Sequence, residues 1–330
     1  MKVLIAGGAG FIGSTVASAC LDAGIEPVLL DDLSAGRREF VADRAFYEGG
    51  IADAAVIDRV VDEHPDIGSV VHCAARIVVP QSVAEPVAYY DNNVVGTLRL
   101  VQHLLRRGIH RLVFSSSASI YAPGEDLSVD EYSPLAPSSP YARTKAMAEQ
   151  ILSDVAEATD LRLLSLRYFN PIGADPQLRT GLQSAAPTHA LGKLITAHTT
   201  GRPFTLTGTD WPTRDGSAVR DFVHVWDLAR AHVRALQRFD AVTARESHLA
   251  INLGTGNGTT VRELVQAFQD VTGGGLEVVE GPPRPGDVVG CYTRSTRAAE
   301  LLHWRGEKSL TDGVRDSLAW ARHRPAVLGA

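Results

Sequence analysis

Four glycines crowd into the run Gly7-Gly8-Ala9-Gly10-Phe11-Ile12-Gly13, directly behind the apolar segment Val3-Leu4-Ile5-Ala6. A chain that leaves a short apolar strand, turns on glycine and resumes with apolar residues at helical spacing is building a strand–turn–helix unit. The spacing fits G-x-G-x-x-G through Gly8, Gly10 and Gly13, and G-x-x-G-x-x-G starting at Gly7. A side chain at the close-approach positions would hold a pyrophosphate away from the amides at the helix start, so glycine there is a steric requirement for a dinucleotide. About 20 residues further on, Asp31 ends the next apolar run, where a carboxylate accepts from the adenosine ribose hydroxyls and repels a 2′-phosphate. NAD is therefore expected over NADP. Arg37 and Arg38 keep a 2′-phosphate site open as the alternative, and a plain glycine turn is the bland one.

The pattern repeats along the first half. Strands are expected at Val3–Ala6, Pro27–Leu30, Ser69–Cys73, Arg111–Ser115 and Leu161–Arg167, with helices at Phe11–Ala23 and Asn93–Arg106 between them. In the second helix Val94, Leu98, Val101 and Leu105 form the expected buried stripe. Alternating β and α segments of this kind predict an α/β fold, a Rossmann-type doubly wound parallel sheet binding NAD over residues 1–170. After about Pro171 the connections at Pro171–Gly181, Gly208–Gly216 and Gly281–Gly286 are rich in glycine and proline. A smaller C-terminal α/β substrate lobe is expected over residues 171–330, with some segments returning to the sheet. Val261–Val271 and Thr311–Arg322 read as amphipathic helices, whereas Ala326–Ala330 has no evident reason to be ordered.

Composition narrows the partners. At 330 residues, 45% hydrophobic and 21% charged, the chain can bury a sizeable core. A formal net charge of −6 with only the Arg37-Arg38 and Arg106-Arg107 pairs argues against nucleic acid. Cys20, Cys73 and Cys291 lack the paired spacing of a zinc site or disulfide framework, so no metal is expected and a reducing cytoplasm is. No stretch approaches the ~20 apolar residues of a membrane span.

A second cluster carries chemistry. Leu112-Val113-Phe114 runs into Ser115-Ser116-Ser117, placing hydroxyls at the carboxyl end of the sheet, where such folds bind ligands. Ser139-Pro140 then opens a helix on which Tyr141 and Lys145 are four apart and share one face. A phenol with an ordinary pKa near ~10 is a poor base at neutral pH, but an adjacent ammonium and a cationic nicotinamide favour phenolate. Tyr141 is thus a candidate base for a sugar hydroxyl, with Ser117 on the same oxygen. Taken alone, the Tyr–Lys pair also reads as surface amphipathy.

The glycine loop, the Ser117/Tyr141/Lys145 set, Tyr89-Tyr90-Asp91-Asn92-Asn93-Val94, Arg167-Tyr168-Phe169-Asn170-Pro171 and Val219-Arg220-Asp221-Phe222-Val223-His224-Val225 together resemble the extended short-chain dehydrogenase/reductases, closest to their UDP-galactose (UDP-glucose) 4-epimerase branch. The resemblance implies Ser117, Tyr141 and Lys145 as catalytic residues. For NAD it implies Gly7, Gly10, Phe11, Ile12, Gly13, Asp31, Asp32, Leu33, Gly36, Gly50, Ile51, Cys73, Ala74, Ala75, Asn92, Ser115, Tyr141, Lys145 and Phe169. For the UDP-sugar it implies Ser117, Tyr141, Asn170, His189, Leu191, Thr205, Leu206, Thr207, Arg220, Arg284, Asp287 and Cys291. Guanidinium forks suit a diphosphate, which agrees for the two arginines. Asn170 alternatively caps a turn before Pro171, and His189 alternatively is a structural histidine. A homodimer through Asn93–Arg106 and Ala142–Ala158 is also implied, unless those faces are spent on the sheet.

In the family's reaction the base removes the O4 proton as the C4 hydride passes to nicotinamide. The 4-keto sugar swings about its diphosphate and takes the hydride back on the other face, so UDP should be gripped and the hexose held loosely. This chain departs from the pattern at Gly50, at Ile77 and at Thr188-His189-Ala190-Leu191. Cys291 stands where a large tyrosine in some epimerases confines the pocket to simple hexoses, implying UDP-N-acetylhexosamines as further substrates, or else only a small core residue. UDP-glucuronate or UDP-pentose 4-epimerization is the alternative. A 4,6-dehydratase is disfavoured because Ser117-Ala118-Ser119-Ile120-Tyr121 offers no carboxylate, and an NAD-binding sensor has no need of an activated phenol.

Overall fold

The computed structural model describes residues 1–41, 43–283 and 288–329. The first half runs β1 (Lys2–Ala6), α1 (Phe11–Asp22), β2 (Glu26–Asp31), β3 (Ala45–Glu48), α2 (Ala54–Glu63) and β4 (Ile67–His72). It continues through α3 (Val79–Ala84), α4 (Pro86–Tyr90), a π-helical turn at Asp91–Val95, α5 (Gly96–Arg106), β5 (Arg111–Ser117), β6 (Ser128–Val129), α6 (Pro140–Ala158) and β7 (Arg162–Tyr168). Then come β8 (Asn170–Ile172), α7 (Ala190–Thr200), β9 (Phe204–Thr207), β10 (Val219–Arg220), β11 (Phe222–His224), α8 (Val225–Val242) and β12 (His248–Leu253). The last elements are β13 (Thr259–Thr260), α9 (Val261–Thr272), β14 (Val278–Gly281), β15 (Tyr292–Thr293), α10 (Arg297–Leu302) and α11 (Leu310–Leu328).

Seven strands pair in the order β12-β7-β5-β4-β1-β2-β3, every pair parallel. From β1 the chain winds first toward β3 and then, from β4, toward β12. The switch point therefore falls between β1 and β4, the crevice where open parallel sheets bind ligands. Strand residues on both faces are fully buried, such as Val3, Leu4, Ile5, Val70 and Val71, because helices cover both sides. One core packs α1 and α8 onto the sheet, and the other packs α2, α5 and α6. A third core, built from Leu194, Phe204, Leu206, Phe268 and Val314 among others, belongs to the later elements. From the second half of the chain, β12 pairs with β7 at the sheet's edge and α8 packs in the first core.

Two expectations are corrected. In α5 the buried residues are Leu100, Val101 and Leu104, with Asn93 and Thr97 above them, while Val94, Leu98 and Leu105 are only half-buried. Hydrogen bonds decide the rotation: the Thr97 hydroxyl donates to the Asn93 carbonyl at 2.7 Å and lies 2.8 Å from His72 Nε2, so two polar residues occupy the inner face. At the other end α11 continues to Leu328, because Val327 and Leu328 pack against the Phe40–Ala174–Trp320 cluster.

Candidate active site

A cavity of about 910 Å³ opens over the switch point and extends into the later lobe. Its floor is the glycine loop. Gly7 has φ +81°, and a Cβ there would lie 2.5 Å from the Ala74 amide nitrogen; a Cβ on Gly13 would lie 2.1 Å from the Gly7 carbonyl. These two glycines let backbone touch backbone. Gly10 is different: the nearest neighbour of its Cβ would be the Gly7 carbonyl oxygen at 3.5 Å, so space remains beside it. Gly10 is also the N-cap of α1, no side chain caps that helix, and Gly7, Gly10, Phe11, Ile12 and Gly13 all line the cavity. An uncapped helix start facing an open cradle fits the pyrophosphate of a dinucleotide.

At the end of β2, Asp31 and Asp32 line the cavity. The Asp31 carboxylate accepts 2.9 Å hydrogen bonds from the amides of Ala9 and Leu33, which tie it to the glycine loop. Burial pushes this carboxyl upward and the two amides pull it back. Gly36 packs on the same carboxylate, where a Cβ would come within 2.7 Å of Asp31 Oδ1. Arg38 is ion-paired with Glu48, which leaves Arg37 as the cavity-lining arginine of that pair. Gly50, Ile51, Cys73, Ala74, Ala75 and Asn92 line the wall, and so does half-exposed Ile77.

Five residues assigned to the cofactor from sequence are not part of this lining: Leu33, Ser115, Tyr141, Lys145 and Phe169. Leu33 packs on the core, and Phe169 sits in a small cluster with Ala118, Ile120, Tyr121 and Val129. The Ser115 hydroxyl is 2.6 Å from the Tyr168 hydroxyl and 3.1 Å from Cys73 Sγ, so its polar atom is spent within the sheet.

Ser117 ends β5, and its hydroxyl caps the short turn Ala118–Ile120. Ser139 caps α6 by accepting from the Ala142 amide, which orients the first turn and with it Tyr141. Burial raises the Tyr141 phenol above its ordinary value, while a hydrogen bond to Ser117 lowers it. Lys145 is buried, its Nζ donates to the Ser115 carbonyl at 2.6 Å and lies 4.9 Å from the Phe114 ring centroid. Desolvation lowers its pKa to about 8. The ammonium expected to sit on the phenol is therefore anchored one helical turn away from it.

Toward the lobe, Asn170, His189, Thr205, Thr207 and Arg220 line the cavity. Asn170 is a strand residue in β8, and its amide donates to the Asp221 carbonyl, so it caps no turn before Pro171. His189 is the N-cap of α7, its Nδ1 accepting from the Gly192 amide at 3.2 Å, as the structural reading requires. The Arg220 guanidinium donates to the carbonyls of Val219 and Val289 at 2.7 and 3.1 Å. Leu191 and Leu206 are corrections: both are buried in the third core, because alternation in β9 turns Leu206 inward while Thr205 and Thr207 face the cavity. Cys291 is half-buried against the Ala118–Phe169 cluster, 4.0 Å from the Ala118 carbonyl. Arg284 and Asp287 lie outside the described residues.

The sequence reading missed two residues. Asn93 uses every valence of its amide: Oδ1 accepts from the Arg76 amide and Asn92 Nδ2, and Nδ2 donates to the Arg76 carbonyl and Thr144 Oγ1. It thereby ties the Arg76 loop after β4 to the Tyr141 helix. Trp211 lines the cavity at the lobe end, in a loop bounded by Gly208 and Gly216; those flanking glycines were its only signal.

The chain carries a glycine cradle, an acid at the end of the second strand and a Ser–Tyr–Lys set next to the cavity wall, and its residues 3–254 match a family model described as the NAD dependent epimerase/dehydratase family. The chain belongs to that family. As a member it is an NAD-dependent enzyme, from the extended branch of short-chain dehydrogenase/reductases that its motifs resemble. A UDP-glucose 4-epimerase of Azospirillum brasilense is 42% identical over 332 residues, covering 99% of this chain and 94% of that protein. The crystal structure of a UDP-glucose 4-epimerase from Stenotrophomonas maltophila, with bound NAD and formylated UDP-arabinopyranose, superposes with a TM-score of 0.93 at 34% identity, covering 99% of each chain. A Bifidobacterium longum UDP-glucose 4-epimerase in complex with NAD+ and UDP gives a TM-score of 0.91 at 32% identity, covering 98% of this chain and 99% of that one.

Proposed function

We propose that this family member is a UDP-glucose 4-epimerase, interconverting UDP-glucose and UDP-galactose, with UDP-N-acetylhexosamines as further substrates. One observation carries the reading: a single cavity runs from the glycine cradle to Arg220, and behind its Cys73 wall half-buried Ser117 and Tyr141 share a hydrogen bond while buried Lys145 holds the Ser115 carbonyl. Residues 1–170 hold the dinucleotide and residues 171–330 the nucleotide-sugar, apart from the segments that return to the sheet.

NAD, held by the glycine cradle, Asp31 and the Ala74–Ala75 wall, supplies a reversible hydride acceptor for the hexose C4. Tyr141 takes the proton of the C4 hydroxyl and later returns it, and Ser117 hydrogen-bonds the same oxygen. Lys145, with its pKa near 8, is mostly protonated at neutral pH and keeps a positive charge within one helical turn of the phenol, which favours the ionised base. Arg220 holds the diphosphate and Asn170 lies beside it. Beyond Ser117 stand small groups, Ala118 with Cys291 packed on its cluster, which offer no charge to grip the ring, so it can turn between oxidation and reduction. Ala118-Ser119 supplies no carboxylate for elimination, which sets dehydration aside.

No described helix is long and apolar enough to cross a membrane. We place the enzyme in the cytoplasm, in galactose metabolism, as a homodimer through the helices of Asn93–Arg106 and Ala142–Ala158, the second of which exposes Met147. Incubating purified protein with a panel of UDP-sugars, without added cofactor, should yield C4 epimers by proton NMR. Epimerization confined to UDP-glucuronate or UDP-xylose would replace the hexose assignment, and none at all would overturn the reading.

A further inference from the structure

The lobe end of the cavity has one half-buried aromatic ring. Phe204 and Phe222 also line it, but they are only 4% and 9% exposed and belong to the third core. Trp211 is the exception, and the loop around it is built to hold it there. Its amide donates to the Gly216 carbonyl at 2.9 Å, and its carbonyl accepts from the Thr213 amide at 2.7 Å. The Thr213 hydroxyl donates to the Ser217 carbonyl at 2.7 Å, and the Gly208 amide donates to Gly281 at the end of β14 at 3.0 Å.

Both bounding glycines are obligatory. Gly208 has φ +74°, and a Cβ on it would stand 2.5 Å from the indole Nε1; Gly216 has φ +81°, and its Cβ would stand 2.1 Å from the Thr209 carbonyl. The indole edge thus rests directly on the backbone of Gly208, so its place against the cavity is fixed before any ligand arrives.

The other three tryptophans are committed elsewhere. Trp304 and Trp320 are buried, donating to the carbonyls of Asp227 and Leu182, and Trp226 packs on the first core beneath the Arg179 guanidinium. Trp211 alone among them lines the cavity. A large π-surface held half-bare in a cavity that Thr205, Thr207 and Arg220 also line is suited to a flat heteroaromatic ring joined to an anion, because stacking tolerates any base while the cation takes the phosphates.

We propose that Trp211 is the platform on which the base of the nucleotide moiety stacks, with Thr205 and Thr207 on β9 at the ring edge and Arg220 on the adjoining diphosphate. The assignment rests on the nucleotide-sugar reading above and adds the residue that recognises the base.

The test is titration of the NAD-loaded enzyme with UDP and, separately, with inorganic pyrophosphate, following tryptophan fluorescence and heat. UDP should quench wild-type fluorescence. Trp211→Leu should lose that quenching and bind UDP about tenfold more weakly, the scale of one stacked base. Trp211→Phe, which keeps a ring, should recover most of the affinity, and pyrophosphate should bind all three proteins alike. Retained NAD and an unchanged melting temperature in both variants establish that they are folded. Equal UDP affinity in wild type and Trp211→Leu would overturn the platform while leaving the nucleotide-sugar reading intact. If the wild type bound no UDP, both would fall.

Discussion

Lys145 Nζ donates its 2.6 Å hydrogen bond to the carbonyl of Ser115, a residue of β5, and so fastens the helix that carries the phenol to that interior strand of the sheet. The bond satisfies one of three ammonium donors in a place without bulk water. Burial costs the charged form more than the bond returns, which is why the pKa falls to about 8.

This gives a pH dependence of stability with a definite sign. The folded-state value lies below the unfolded value of 10.5, so between about 8 and 10.5 the unfolded chain binds more protons and stability rises with pH. Cofactor-free Lys145→Met should therefore melt higher than wild type at pH 7, and the gap should shrink as pH rises from about 8 toward 10.5. Melting curves of both proteins across that range are the check; a constant gap would show that Lys145 does not titrate there.

Tyr141→Phe keeps the ring and removes the base. Turnover of UDP-glucose should drop by about 10²- to 10⁴-fold, the ordinary range for a positioned acid–base group. Bound NAD should be retained, as measured by dinucleotide content after heat release. Ser117→Ala should cost less, because it removes only a hydrogen bond to the same oxygen.

Gly7→Ala tests the cradle. With φ +81° and an added Cβ 2.5 Å from the Ala74 nitrogen, the loop must move. The variant should purify without dinucleotide or fail to accumulate in soluble form, whereas Gly50→Ala, whose Cβ would meet nothing within 4 Å of protein, should fold as wild type.

Cys291 packs beside the carbonyl of Ala118, the residue after Ser117. Cys291→Tyr should remove epimerization of UDP-N-acetylglucosamine and spare that of UDP-glucose, measured as separate kcat/KM values. Equal losses for both substrates would refute a size gate.

Arg167 and Glu149 form a buried ion pair at 2.6 Å, and Arg167 also donates to the Tyr121 hydroxyl at 2.8 Å. Glu149 lies one turn beyond Lys145 on α6. Arg167→Leu should destabilise the fold by about 3–5 kcal/mol in urea denaturation, because it strands a buried carboxylate. Removing both partners with Arg167→Leu and Glu149→Leu should cost clearly less than Arg167→Leu alone.

The glycine spacing, Asp31 and the four-residue interval from Tyr141 to Lys145 are legible in the chain because each is a local requirement. A left-handed turn admits glycine, a ribose needs an acid at a strand end, and two residues four apart on a helix share a face. For the same reason five strands of the sheet are readable from short apolar runs. The inner face of α5 was not, since periodicity ranks residues by hydropathy and here Thr97 and Asn93 face inward to satisfy distant hydrogen-bonding groups.

By itself the sequence determined the fold class and the NAD cofactor, and it singled out the glycine loop and the Ser–Tyr–Lys set as candidates. The tertiary structure decided which neighbours compete for those groups. It gave the Ser115 hydroxyl to Tyr168, the Lys145 ammonium to a backbone carbonyl, the Leu206 side chain to the core and the Trp211 ring to the cavity. Such contacts join residues dozens of positions apart, and their outcome depends on which partner lies within about 3 Å once the chain has packed, a distance no local pattern encodes.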